Sequence, residues 1–108
     1  MSFNVKTISV FERQAKRLMK KFPSLKKELQ ELTKELKEEP GKGTPIGHNC
    51  YKIRLAIACK GKGKSGGARV ITHLVLKGDT VYLLTIYDKS DVENLTDKEI
   101  LELIKLIP

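Results

Sequence analysis

The chain has 108 residues with ordinary apolar content, which indicates one globular domain over residues 1–108 rather than a disordered chain. No apolar run approaches the roughly 18 residues that a membrane span needs, and the first residues do not resemble a secretory signal. We therefore expect a cytoplasmic protein with no membrane partner. The 21 Lys and Arg residues outnumber the 13 Asp and Glu residues, giving a net charge of +8.

The excess positive charge lies in one continuous segment of the chain. Residues 40–78 contain no Asp or Glu. The basic residues of this segment are Lys42, Lys52, Arg54, Lys60, Lys62, Lys64, Arg69 and Lys77. Removing these eight from the 21 basic residues leaves 13 against 13 acidic ones. Such a concentration of charge indicates a polyanionic partner, and nucleic acid is the foremost candidate.

The first 37 residues predict a strand followed by two helices. Residues 3–8 alternate and contain β-branched side chains, which is typical of a short strand. Ser9 and Glu12 match a capping box, and Ser24 is a second candidate N-cap. The apolar faces of the two helices are predicted to comprise Phe11, Ala15, Leu18, Met19 and Phe22, and then Leu25, Leu29, Leu32 and Leu36.

The remainder of the chain predicts three strands and a last helix. Residues 38–49 contain two prolines and three glycines and predict a break. Strands are predicted at 50–58, 68–76 and 80–88, with a basic loop between the first two and a tight turn at 77–79. Thr96 and Glu99 predict a capping box for the last helix.

The predicted order, β-α-α-β-β-β-α, indicates an α+β fold with the helices packed against an antiparallel sheet. The simplest arrangement covers one face of the sheet with helices and leaves the opposite face open. Lys52 and Arg54 alternate with Tyr51, Ile53 and Leu55, so we expect the two cations on the open face.

The cysteines and the motif content argue against a disulfide, a metal or a nucleotide cofactor. Nine steps along a strand would place Cys50 and Cys59 roughly 30 Å apart, so both are predicted to be reduced packing residues. Gly63 and the two residues after it resemble the end of a P-loop, but Ala58 stands where that motif needs glycine. Without an HExxH or CxxC motif we expect no metal and no cofactor.

The remaining candidates form a site rich in cations. Three adjacent strands would contribute Lys52, Arg54, Arg69, Tyr87 and Lys89. Cations stabilise the charge that develops on a phosphorane, and a lysine among other cations more readily accepts a proton from a ribose 2′-hydroxyl. The alternative is that these are ordinary solvated strand residues.

Further candidates surround this site. Lys60, Lys62 and Lys64 of the basic loop are predicted to contact an RNA backbone, or else to be solvated. His73 shares the parity of Arg69 and is either an RNA-binding residue, an acid–base group or a structural histidine. His48, in the break, is expected to be exposed.

Two strings carry a resemblance to a known family. YKIRLAIACKGKGKSGGARVITHLV at 51–75 and VYLLTIYDKSDVENLT at 81–96 resemble toxins of the RelE/ParE superfamily, in particular the HigB-like branch. The resemblance covers nearly the whole chain and implies a RelE-like α+β fold. It further implies a type II toxin that cleaves mRNA in the ribosomal A site, is inactivated by a cognate antitoxin, and meets operator DNA only through the antitoxin complex.

The resemblance also implies roles for individual residues. Lys52 or Arg54 would be the base and position the substrate, and because arginine does not deprotonate in proteins the base would be Lys52. Arg69 would stabilise the transition state, and Lys89 would neutralise or protonate the leaving oxygen. RelE has an mRNA-stacking tyrosine after its last strand, where this chain has residues 93–95 without an aromatic. Tyr87 is the nearest substitute.

Two other functions remain open on the sequence alone. ParE members share the fold but inhibit DNA gyrase by protein–protein contact without catalysis. A plain nucleic-acid-binding module would also explain the basic segment. The three cations Lys52, Arg54 and Arg69 argue against the gyrase inhibitor, and the nucleic-acid-binding module stays open.

Overall fold

The computed structural model describes residues 2–61, 63, 66–92 and 94–108. Its helices are α1 (Ser9–Lys21), α2 (Leu25–Glu38) and α3 (Asp97–Ile104), with a short 3-10 turn at Ala58–Lys60. Its strands are β1 (Asn4–Thr7), β2 (Thr44–Gly47), β3 (Cys50–Leu55), β4 (Ala68–Val75) and β5 (Thr80–Asp88). Within the described part of the chain, every helix is too short or too polar to cross a membrane.

The five strands form one sheet in the order β1-β5-β4-β3-β2. The pairs β2–β3, β3–β4 and β4–β5 are antiparallel, whereas β1 lies parallel to β5 at the edge. The predicted α+β class is confirmed. The prediction of a break over 38–49 is wrong in one respect, because β2 forms there and pairs with β3.

The register divides the side chains of the sheet between two faces, since cross-strand partners share a face and successive residues alternate. Ile53, Val70 and Ile86 are consecutive partners across β3, β4 and β5, and each is buried. Their face joins the hydrophobic core formed with the buried residues of α1 and α2, namely Phe11, Ala15, Leu18, Leu25, Leu32 and Leu36.

Helix α3 packs on the opposite face, so the expectation of one helix-covered face and one open face is wrong. Its buried Ile100 lines a cavity of about 150 Å³ together with Lys52, Ile71 and Tyr87. These three strand residues belong to the face that does not hold Ile53. Helix α3 therefore covers part of the sheet face that carries Lys52 and leaves the rest of that face without a helix.

The two predicted capping boxes have different outcomes. At α3 the Glu99 amide donates to the Thr96 hydroxyl at 3.2 Å, and the Thr96 amide donates to the Glu99 carboxylate at 3.0 Å, as predicted. At α1 the helix already begins at Ser9 with Ile8 as N-cap, and Glu12 instead accepts from the Thr7 hydroxyl at 3.0 Å.

The cysteines are both free thiols in different environments. Cys50 is buried, and burial raises the pKa of its thiol to about 11. Cys59 is exposed, which corrects the prediction that it is a packing residue. Its sulfur accepts the Ser24 amide hydrogen at 3.3 Å, and hydrogen bonding to Ser24 lowers the pKa of the Cys59 thiol.

Candidate active site on the basic sheet face

Arg54, Arg69 and Tyr87 form a row across three strands. Arg54 is the Cα partner of Arg69, and Arg69 is the partner of Tyr87. Directly opposed side chains begin about 5 Å apart, so the three project side by side from one face. We refer to Arg54, Arg69 and Tyr87 as the cross-strand row.

Lys52 and Lys89 flank this row. Lys52 lies two residues before Arg54 on β3, opposite Ile71. Lys89 follows Tyr87 by two residues, and its amide donates to the Gly67 carbonyl at 3.1 Å, which extends the pairing beyond β5. Residues two apart on a strand share a face and are roughly 7 Å apart. Four of the five predicted catalytic residues therefore lie on one sheet face, and Lys89 lies in the turn just beyond the end of β5.

Arg69 is the buried centre of the row. It is 4% exposed, and its Nη1 donates to the Ala68 carbonyl at 3.1 Å. Arg54 and Lys89, on either side, are exposed to solvent. The site thus combines a buried cation, Arg69, with two cations that are exposed to solvent, Arg54 and Lys89.

Tyr87 is placed differently from an RNA-stacking residue. Its ring is 7% exposed, which leaves no open face for a base to stack on. Its hydroxyl is buried and lacks a hydrogen-bond partner in the described part of the chain. Burial raises the pKa of Tyr87, while the charge of Arg69 acts in the opposite direction. The suggestion that Tyr87 replaces the stacking tyrosine therefore does not fit its position.

Lys52 has a partner that the sequence did not suggest. Its Nζ donates to the Asn94 Oδ1 at 2.9 Å. Lys52, Asn94 and Asp97 line the cavity beneath Ile100. In the sequence, the one feature that could have drawn attention to Asn94 is that it lies two residues before Thr96, the N-cap of α3. The capping box fixes where the chain enters this helix.

Lys60 does not occupy the position that an RNA contact would need. Its Nζ lies 2.6 Å from Asp88, and the two side chains are 10% and 2% exposed. The ammonium also lies 5.5 Å from the centre of the Phe22 ring. Burial alone would raise the pKa of Asp88, but hydrogen bonds from Lys60 and Ser90 and the Lys60 charge together lower it to about 2. Lys60 is therefore a structural residue at the end of β5.

His73 shares the sheet face of the row but lies at a distance from it. It is the cross-strand partner of Cys50, and its Nδ1 is 3.5 Å from the Cys50 sulfur. His73 lies four positions after Arg69 on β4, which is about 13 Å along the strand. Burial lowers the pKa of His73.

The other predicted RNA contacts, Lys62 and Lys64, lie outside the described residues, as does position 93.

Comparison with known proteins identifies the family. The model of the family described as the RelE toxin of the RelE/RelB toxin–antitoxin system matches residues 5–107. A solved structure of a free-state E. coli RelE mutant, with two arginines replaced by alanine, superposes with a TM-score of 0.63. It is 18% identical, all of each chain is covered, and it supports the fold. The finer resemblance to the HigB-like branch stays a prediction. The chain belongs to the RelE toxin family.

Proposed function

We propose that this toxin is a ribosome-dependent endoribonuclease that cleaves mRNA in the A site and so inhibits translation. The observation that carries the proposal is the cross-strand row with Lys52 and Lys89 beside it. Two arginines at facing strand positions, with two lysines near them, form a cationic surface that suits a bound anion. A ribose–phosphate backbone supplies that anion.

The chemistry proposed for this site is attack of the ribose 2′-hydroxyl on the adjacent phosphorus. Lys52 accepts the hydroxyl proton on its side-chain nitrogen while the 2′-oxygen bonds to phosphorus. Arg69 and Arg54 stabilise the negative charge on the phosphorane oxygens. The bond from phosphorus to the 5′-oxygen breaks, and Lys89 donates a proton to that oxygen. The products are a 2′,3′-cyclic phosphate and a 5′-hydroxyl end, and the balance requires no metal or cofactor.

Dependence on the ribosome follows from the modest strength of such a base. A site of this kind gains most when the 2′-oxygen is already held in line with the breaking bond. A ribosome with mRNA in its A site supplies that geometry. The exposed cations would also contact ribosomal RNA, so binding should weaken steeply with salt.

The partners proposed for the chain follow from its family. Membership of a toxin–antitoxin family implies an antitoxin protein. We propose that this antitoxin suppresses cleavage in the complex, and that operator DNA is contacted only through it. The net charge of +8 favours an antitoxin with a complementary acidic surface.

The proposal is tested by incubating the purified toxin with a defined mRNA, with and without programmed ribosomes. We expect cleavage at the A-site codon only when ribosomes are present, and none when the nucleotide 5′ of the cut carries 2′-deoxyribose. In parallel, supercoiling by DNA gyrase is assayed with the same toxin. Inhibition of gyrase with intact mRNA would overturn the ribonuclease proposal in favour of a ParE-like inhibitor.

A further inference from the structure

Asn94 makes a side-chain contact with Lys52 from a distant part of the chain. The Lys52 Nζ and the Asn94 Oδ1 are 2.9 Å apart and belong to residues separated by 42 positions. A charged lysine ammonium carries only donors, so the amide oxygen is the atom that faces it. The contact joins β3 to the segment that leads into α3.

Asn94 and its hydrogen bond to Lys52 are exposed, and the segment that carries Asn94 is anchored on its C-terminal side. Two residues later, the capping box between Thr96 and Glu99 fixes the start of α3. One turn into the helix, Ile100 is 4% exposed and packs on the sheet face beside Ile71. The segment entering α3 is thereby anchored to the same face from which Lys52 projects. The amide therefore restricts where the Lys52 amine points.

A neutral acceptor suits a lysine that exchanges a proton. An ammonium has three N–H bonds and an amine has two, so the hydrogen bond to Asn94 can persist in both states while the amine lone pair points elsewhere. A carboxylate in the same place would favour the charged form of the lysine. The other charged or titratable groups of the described chain that face Lys52 are Arg54, Arg69, Tyr87 and Asp97.

From this geometry we infer that Asn94 is a positioning residue for the reaction, which holds the Lys52 amine toward the ribose 2′-hydroxyl through its Oδ1. The inference rests on the proposed ribonuclease function and adds a residue to it. Asn94 itself does not contact the reacting atoms.

The test is the single-turnover rate of mRNA cleavage on programmed ribosomes between pH 6 and 9. Asn94→Ala should lower the rate about tenfold at every pH, because the amine is no longer held, without moving the profile along the pH axis. Asn94→Asp should move the limb on which the rate rises with pH upward by about one pH unit, which lowers the rate about tenfold on that limb and by less at higher pH. Asn94→Gln, which keeps the amide, should restore part of the rate lost in Asn94→Ala.

The matched control is Asn4→Asp, which makes the same chemical change on edge strand β1, three strands away from β3. It should leave the pH profile unchanged. Profiles for Asn94→Asp and wild type that superimpose would overturn the inference while the ribonuclease function stands. A wild-type protein that leaves mRNA intact on ribosomes would overturn both, so the two failures are distinguishable. Circular dichroism confirms that each variant is folded.

Discussion

Arg54 and Arg69 lie directly opposite each other on neighbouring antiparallel strands, with their charges on the same face. Opposed like charges cost a sheet up to about 1 kcal/mol, and burial of Arg69 limits screening by solvent. A bound phosphate would add favourable interactions with both side chains. Two cations at facing positions are therefore the pattern expected of a site that binds an anion.

Replacement of Arg54 should increase the stability of the fold and decrease the rate of mRNA cleavage. We expect Arg54→Thr to raise the free energy of unfolding by about 0.5 kcal/mol, because it removes the repulsion and places a good strand former on β3. The same variant should cleave mRNA much more slowly. Urea unfolding at low and high salt measures the first effect, and the gain should shrink at high salt. A stability loss in Arg54→Thr would contradict the idea that the pair is repulsive.

The ion pair between Lys60 and Asp88 should be a stability element. Asp88→Asn leaves a buried ammonium without its counter-charge and should lower the free energy of unfolding by about 3 kcal/mol. The matched control is Lys105→Met, which breaks the exposed pair with Glu102, where the side chains are 72% and 61% exposed. That change should alter stability by less than about 0.5 kcal/mol. Equal effects of the two changes in urea unfolding would contradict the structural role of Lys60.

The same ion pair predicts a pH dependence of stability. The folded pKa of Asp88, about 2, lies below the ordinary value of about 4, so the ionised carboxylate stabilises the fold. That contribution is fully present above about pH 4 and is lost as the pH falls through 2. The stability difference between wild type and Asp88→Asn should therefore shrink over this interval. Unfolding by urea at pH 6, 4, 3 and 2 measures it, and a constant difference would contradict the assignment.

His73 should be dispensable for cleavage. It lies about 13 Å along β4 from Arg69 and contacts Cys50, away from the cross-strand row. His73→Gln should keep the cleavage rate within about twofold of wild type, since it removes no group from the proposed reaction. Single-turnover assays on programmed ribosomes check this. A loss of a hundredfold in a folded protein would make His73 part of the machinery.

The sequence predicted those features that depend on local periodicity. Alternation along β3, and the short turn that makes β4 and β5 antiparallel, were enough to place Arg54, Arg69 and Tyr87 on one face. The capping box at Thr96 was equally local. Strand β2 was not predictable in this way, because Pro45 and Gly47 are typical of breaks and are tolerated here only at the sheet edge.

Features that depend on tertiary contacts were not predictable from one sequence. Helix α3 was predicted from its capping box, but a capping box does not say which face of the sheet the helix covers. Lys60 appeared to be one more cation of a basic loop, because its partner Asp88 lies 28 residues away. Asn94 and Lys52 are farther apart still. Each of these contacts depends on how the elements pack together.

The proposed catalytic centre consists of the cross-strand row with Lys52 and Lys89 beside it. Its most direct test is the single-turnover rate of A-site mRNA cleavage by three variants on programmed ribosomes. We predict that Lys52→Met and Arg69→Lys each lower the rate by about a hundredfold or more, as expected for loss of the base and of a phosphorane contact. Lys77→Met removes the same charge as Lys52→Met, but from an exposed turn roughly 26 Å along the chain from Arg69, and should stay within about twofold of wild type. Equal rates for all three variants would contradict the proposed site.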